Sequence, residues 1–160
     1  MVNFLKAIFL IAVLLLTACG SELPDNEAGL RTLVTQIESD RGIFTKEEKN
    51  WRSGDVSSVF TTFSQNGKVL LIEENMTRGE SGLSKNRFYF FNDELFCYRE
   101  KRINTDDSVL EIEVFLNREG KVVAQKQLTD GKSSNVPKYV VPLAKKHGNT
   151  LLDLVNKKGE

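Results

Sequence analysis

The stretch from Arg87 to Arg102, RFYFFNDELFCYREKR, constrains the fold most strongly, because two aromatic-rich runs flank Asn92-Asp93, a dipeptide able to adopt positive φ. That is the pattern of a β-hairpin. Two weaker copies of it surround the turn signals Asn66-Gly67 and Glu119-Gly120. The first apolar residues after the three turns, Val69, Leu95 and Val122, are spaced by 26 and 27 residues. Val56 to Leu128 therefore reads as three successive hairpins, a loosely repeated six-stranded antiparallel meander. In the central hairpin, strict alternation places Phe88, Phe90, Leu95 and Cys97 on one face and Tyr89, Phe91, Phe96 and Tyr98 on the other. Both faces are greasy, so both must be covered by the chain itself or by a partner. The Tyr89, Phe91, Phe96, Tyr98 set is accordingly the candidate partner-binding face.

The third hairpin has a chemically consistent register. With a two-residue loop at Glu119-Gly120, Leu116 faces Val123 and Glu113 faces Lys126, an apolar pair on one face and an opposite-charge pair on the other. Leu110, Ile112, Val114 and Leu116 share one side of their strand, and Glu111 and Glu113 share the other, which should face water. Ahead of the strands, Leu30, Leu33, Val34 and Ile37 fall at helical spacing, so a helix is expected over residues 27–39. Glu27 suits its start and Gly42 its end. Thr45 to Trp51 reads as a charged linker ending in a core or edge plug, Trp51.

After the meander, Asp130 to Pro137 reads as a loop. Tyr139 to Ala144 suits either a short strand or a helix start, and Pro142 argues against a central strand. Thr150 with Asp153 resembles a capping box, and Leu151, Leu152, Leu154 and Val155 supply an apolar side for a terminal helix. The expected fold class is α+β, a single globular domain over residues 27–160. It consists of a helix (27–39), a six-stranded meander (56–128) and a C-terminal segment (136–160) ending in a helix.

The N-terminal residues speak to location. Lys6 precedes an uninterrupted apolar run, Ala7 to Leu16, which at ten residues is too short for a spanning helix. It has the form of an export signal. Leu16-Thr17-Ala18-Cys19 resembles the lipobox of bacterial lipoproteins. That resemblance implies cleavage between Ala18 and Cys19, removal of residues 1–18, and acylation of Cys19 by several chains, palmitate among them. Several chains matter because one alone holds a protein only marginally to a bilayer. Gly20 and Ser21 follow without an aspartate at the second position, which resembles lipoproteins sent to the outer membrane, facing the periplasm. Residues 19–26 are then the lipidated cysteine and a polar tether broken by Pro24. Together with strand motifs such as FSQNGKVL and FYFFNDELF, the chain resembles uncharacterised bacterial lipoproteins with aromatic-rich hairpin repeats, a likeness that brings no function with it.

Positive and negative side chains balance at 22 each, which removes the electrostatic basis for nucleic-acid binding. Lipidation of Cys19 leaves Cys97 as the mature chain's sole thiol, and its place within an aromatic strand predicts burial. His147, the only histidine, follows Lys145-Lys146 and reads as part of a positively charged helix end without catalytic partners. Glu111 and Glu113 read as a solvated sheet face, Glu73 and Glu74 point to opposite faces, and Asp106-Asp107 lies in a turn. Asn75-Met76-Thr77 matches a glycosylation acceptor that a bacterial lipoprotein would not use. No local motif supplies a catalytic residue, a metal site or a cofactor.

The expectation is a lipid-anchored, non-enzymatic accessory or binding module of the cell envelope, with the membrane and an envelope protein as partners and no small-molecule ligand specified. An inhibitor or immunity-type lipoprotein and a small envelope enzyme are the alternatives. Replacing Cys19 by alanine should abolish incorporation of labelled palmitate in cells. A Cys19→Ala protein that still takes up label would remove the lipobox reading.

Overall fold

A computed structural model describes residues 22–79 and 82–157, so Ala18, Cys19 and the signal segment lie outside the described residues. Helix α1 (Glu27–Asp40) comes first, followed by a 3₁₀ turn (Arg41–Ile43). Eight strands succeed one another: β1 (Thr45–Ser53), β2 (Val56–Gln65), β3 (Lys68–Arg78), β4 (Leu83–Phe91), β5 (Glu94–Ile103), β6 (Val109–Leu116), β7 (Val122–Thr129) and β8 (Lys132–Ser134). Helix α2 (Val140–Asn156) closes the domain. The strands form one antiparallel sheet in sequence order, β1 to β8. The α+β meander between two helices is as expected, but it has eight strands and not six.

The two strands missing from the sequence reading lie at the sheet edges. β1 (TKEEKNWRS) lacks an apolar alternation because an edge strand packs little, and its charges block pairing with another chain. β8 is three residues long, and Asp130-Gly131, read as loop, is its hairpin turn with φ of 50° and 78°. Asn66-Gly67 (52°, 76°) and Asn92-Asp93 (50°, 66°) adopt the same left-handed pair of conformations, the type I′ turn that matches strand twist. Glu119-Gly120 does not. Residues 117–121 connect β6 to β7, and the Asn117 side chain accepts from the Glu119 and Lys121 amides at 3.1 and 2.9 Å. Glu113 faces Lys126 as expected, but a bulge beyond Phe115 sets Leu116 against Val122 instead of Val123.

Each sheet face has its own core. On one, α1 lays Leu30, Val34 and Ile37 over Phe63, Leu71, Tyr89, Phe96, Cys97 and Phe115. Burying each such aliphatic side chain contributes about 1.5–3 kcal/mol. Asn26 caps the helix by accepting from the Gly29 amide at 2.9 Å. On the opposite face, α2 packs Val140, Ala144, Leu151, Leu152 and Val155 over Phe60, Ile72, Phe88, Phe90, Tyr98, Ile112 and Val114.

A bulge decides which aromatic belongs to which core. Tyr89 pairs with Cys97 and Phe90 with Leu95, so Phe96 is the extra residue of β5. Phe96 and Cys97 consequently both lie under α1, and Tyr98 turns to the α2 side. The Tyr89, Phe91, Phe96, Tyr98 set is therefore not a single face. Tyr89, Phe96 and Tyr98 are buried and Phe91 is half-buried, so this set presents no surface to a partner. Cys97 is a buried free thiol, and burial pushes its pKa up.

The C-terminal segment is more helical than the sequence suggested. Tyr139 to Ala144 is the start of α2, where Pro142 is tolerated because a first-turn amide has no helical partner. His147 and Thr150 sit mid-helix, and Thr150 donates to the Lys146 carbonyl at 3.0 Å in place of capping. Gly148 faces the sheet: a Cβ there would meet Phe88 Cδ1 at 3.0 Å and Phe90 Cζ at 3.5 Å. Close seating of α2 offsets the cost of about 1 kcal/mol for glycine inside a helix. The tether is also shorter than expected, because Leu23 is buried in the α1 core and Pro24 packs beside Gly29.

Gly148→Leu should lower stability by about 1–3 kcal/mol in urea unfolding, because overpacking lifts α2 from Phe88. Gly42→Ala, with open space around it, serves as the near-neutral control. An unchanged midpoint for Gly148→Leu would contradict this seating.

Candidate functional site

Along the strands the sheet is divided. The half near the Asn66-Gly67 and Asn92-Asp93 turns is apolar and clamped between the helices, whereas the other half carries polar and charged residues. On the α1 side, pairing aligns two cross-sheet rows in that polar half. The inner row, next to the helix, is Thr61, Glu73, Arg87, Arg99, Glu113 and Lys126. The outer row is Asn50, Val59, Asn75, Lys85, Lys101, Glu111 and Leu128. Beyond it, Leu83 and Ile103 pair with each other and are exposed.

The inner row ties α1 down. Arg87 Nε reaches Glu73 at 2.8 Å and its Nη1 reaches Glu38 of α1 at 3.2 Å. Glu113 is shared by Arg99 of β5 and Arg31 of α1, each at 2.8 Å. Arg41 spans Glu38 and Glu73 while stacking over Phe63 at 4.7 Å. Tyr89 donates to Glu38, and burial, followed by that bond, pushes its hydroxyl pKa up, so it remains a neutral donor.

A groove of about 580 Å³ opens over these rows. It meets a shallower one of about 330 Å³ at Asn75, which lines both and carries the depression on to Val59, Asn50 and Arg52. Crossing from β1 to β7 covers six strand spacings, about 29 Å at 4.8 Å each. Its charge is uneven. Lys85 stands directly opposite Lys101, and Arg87 directly opposite Arg99, giving a block of four cations on adjacent strands. Like charges placed opposite each other destabilise a sheet. Glu73, Glu113 and Glu111 offset three of these cations, the last through a 3.0 Å pair with Lys101. Lys85 is left without an ion-pair partner among the described residues.

The opposite face holds a second polar cluster beneath α2. Glu74, fully buried, accepts from Asn86 Nδ2 at 2.8 Å and lies 2.9 and 3.0 Å from His147 Nε2 through its two oxygens. Trp51 meets the imidazole edge-on at 4.9 Å. Tyr98 donates to Glu100 at 2.9 Å, and Glu100 accepts from Arg102 Nε at 2.8 Å. Burial, the largest single influence, raises the Glu74 pKa, but the hydrogen bond and charge of His147 together with further hydrogen bonds, Asn86's among them, outweigh it and hold the carboxyl below the ordinary glutamate range. A histidine–carboxylate pair can serve in proton transfer when its free nitrogen meets a cleft. His147 is 20% exposed, and neither groove is lined by it. Its geometry is that of a clamp seating α2 on β3. Among the described residues no cluster of histidine, cysteine and carboxylates is suited to a metal.

Family models, curated proteins and solved structures contain no match to this chain.

Sequence reasoning placed Glu73 and Glu74 on opposite faces, which holds. It read the Glu111, Glu113 face as solvated; the two do share a face, but α1 covers that face at Phe115 and ties Glu113 to Arg31, so only Glu111 is exposed. It missed the cation block: Lys85-x-Arg87 and Arg99-x-Lys101 flank Asn92-Asp93 one residue out of register for a plain two-residue turn, and only the extra residue Phe96 sets them opposite each other. It also missed Glu74 with His147, because 73 residues separate them.

Glu74→Gln should destabilise the protein by about 1–3 kcal/mol, since the amide that replaces the buried carboxylate leaves Asn86 or His147 without its acceptor. The acid limb supplies a second readout. A carboxyl with a depressed folded pKa contributes stability that is complete above its unfolded value and is lost as pH falls through the folded one. Stability of Glu74→Gln should therefore fall less steeply with acid than that of the parent. Parallel acid limbs in urea titrations would mean that Glu74 is not an ionised anchor.

Proposed function

We propose that the protein is a lipid-anchored, non-enzymatic binding module of the bacterial envelope, probing the periplasm from the outer membrane. Its site is the cross-sheet groove beside α1, and its partner is an acidic, extended segment of an envelope protein. The observation that carries this reading is the cation block Lys85, Arg87, Arg99 and Lys101, set at the centre of the groove with Lys85 lacking a counter-charge among the described residues. Three of the four cations have carboxylate partners, and an anionic ligand would supply one for the remaining Lys85. Exposed Leu83 and Ile103 along one rim add apolar contacts for side chains flanking the acidic groups. A length of about 29 Å accommodates roughly eight or nine extended residues.

The alternatives have less support. An enzyme needs the convergent polar residues to meet a cleft, and although Glu74 borders the larger groove, its partner His147 lines neither. An inhibitor or immunity-type lipoprotein calls for a protruding loop, whereas the fully described hairpin connections are two or five residues long.

A photo-crosslinking residue at Asn75, in the middle of the groove, should capture an envelope protein through an acidic segment in living cells. Lys85→Glu combined with Lys126→Glu should abolish that capture and leave the thermal unfolding midpoint nearly unchanged, because both side chains are exposed. Undiminished capture by the doubly reversed protein would remove the groove as the site. Capture from Thr35 on the outer side of α1, with none from Asn75, would move the interface elsewhere.

A further inference from the structure

The groove has a direction relative to the membrane, fixed by where the chain enters the fold. Leu23 is buried in the α1 core, and the residues beside it are pinned: Arg118 Nη2 contacts Glu22 at 3.1 Å and Asp25 at 3.7 Å. The four residue steps from Cys19 to Leu23 reach at most about 14 Å when fully extended. A lipid on Cys19 therefore cannot stand far from the loop at residues 117–121, which carries Arg118.

That loop marks one end of the sheet. In a meander, alternate turns share an end, so residues 117–121 lie on the same side as Asn66-Gly67 and Asn92-Asp93. Lys68 Nζ bonds Asn92 Oδ1 at 2.7 Å, joining two of these turns directly. Lys145 Nζ donates to the Gly120 carbonyl at 3.0 Å and brings the N-terminal half of α2 to the third. Val122 beside that loop and Tyr139 and Leu143 in that part of α2 are exposed, without a core to enter. Tyrosine and leucine flanked by lysines suit the headgroup boundary of a bilayer, where an apolar body and a polar tip are both accommodated.

We infer that the domain is held end-on against its own bilayer, with the loop at residues 117–121, its two companion turns and the start of α2 touching lipid headgroups. This inference rests on the lipid anchor proposed above. Strands of about ten residues then carry the opposite turns roughly 34 Å away, and the cation block lies in the half of the sheet distant from the membrane. A short tether leaves the domain little freedom to lie down, so the groove stays presented to whatever crosses the periplasm.

Site-directed labels test this, and buried Cys97 leaves an introduced cysteine as the reactive thiol of the lipidated protein. Fluorophores at Glu119→Cys and Leu143→Cys, and at Thr105→Cys and Lys132→Cys, are read in vesicles containing headgroup-quencher lipid. The expected result is severalfold stronger quenching at Glu119 and Leu143 than at Thr105 and Lys132. A ten-residue Gly-Ser insertion after Ser21 should erase that contrast. Equal or reversed quenching in protein that floats with the vesicles overturns the end-on arrangement alone. A contrast that survives the insertion overturns the claim that the short tether sets the orientation. Protein that fails to float overturns the anchor and the arrangement together.

Discussion

Burial of aromatic side chains on both faces of the β4–β5 hairpin is the constraint on which the architecture depends. A sheet strand normally offers one face to a core and the other to water, and a single helix then suffices. Phe88 and Phe90 on one side, with Tyr89 and Phe96 on the other, leave neither face fit for solvent. Two helices are needed. The chain supplies one from each side of the strand region, so the hairpin becomes the centre of a three-layer domain.

The same hairpin ends its apolar character abruptly. Four residues beyond Phe91 the alternation passes into Arg87 and Lys85, and on the partner strand into Arg99 and Lys101. α1 covers only the aromatic part and is fastened at the boundary by Arg31, Glu38 and Arg41 to Glu113, Arg87 and Glu73. Exposed ion pairs contribute little singly, but shared carboxylates hold the helix at a defined height on the sheet. What lies beyond that boundary is the groove, a surface left uncovered because one helix ends its coverage there.

Under α2 the polar half of the sheet is treated differently. Glu74 is enclosed and matched by His147 and Asn86. A buried carboxylate without those partners would cost several kcal/mol, so α2 docks in the register that brings His147 to it. Gly148, the next residue, is small enough to let the helix approach Phe88. Adjacent positions on one helix thus set both its depth and its register.

Much of the fold was legible because it rests on local chemistry. Positive-φ dipeptides marked the Asn66-Gly67 and Asn92-Asp93 turns, the i, i+3, i+4, i+7 stripe marked α1, and alternation marked the inner strands. β1 and β8 escaped because edge strands have no apolar period to detect, and α2 was read short because its first turn contains Pro142. The candidate site was scarcely legible. By itself the sequence determined the two-faced hairpin, the burial of Cys97 and the charge balance, all properties of neighbouring residues. Only the tertiary structure decided that a bulge at Phe96 sends Tyr98 to the other core, that four cations share one patch, and that His147 meets Glu74. Each of these depends on strand register or helix docking, which bring together residues that the chain holds apart.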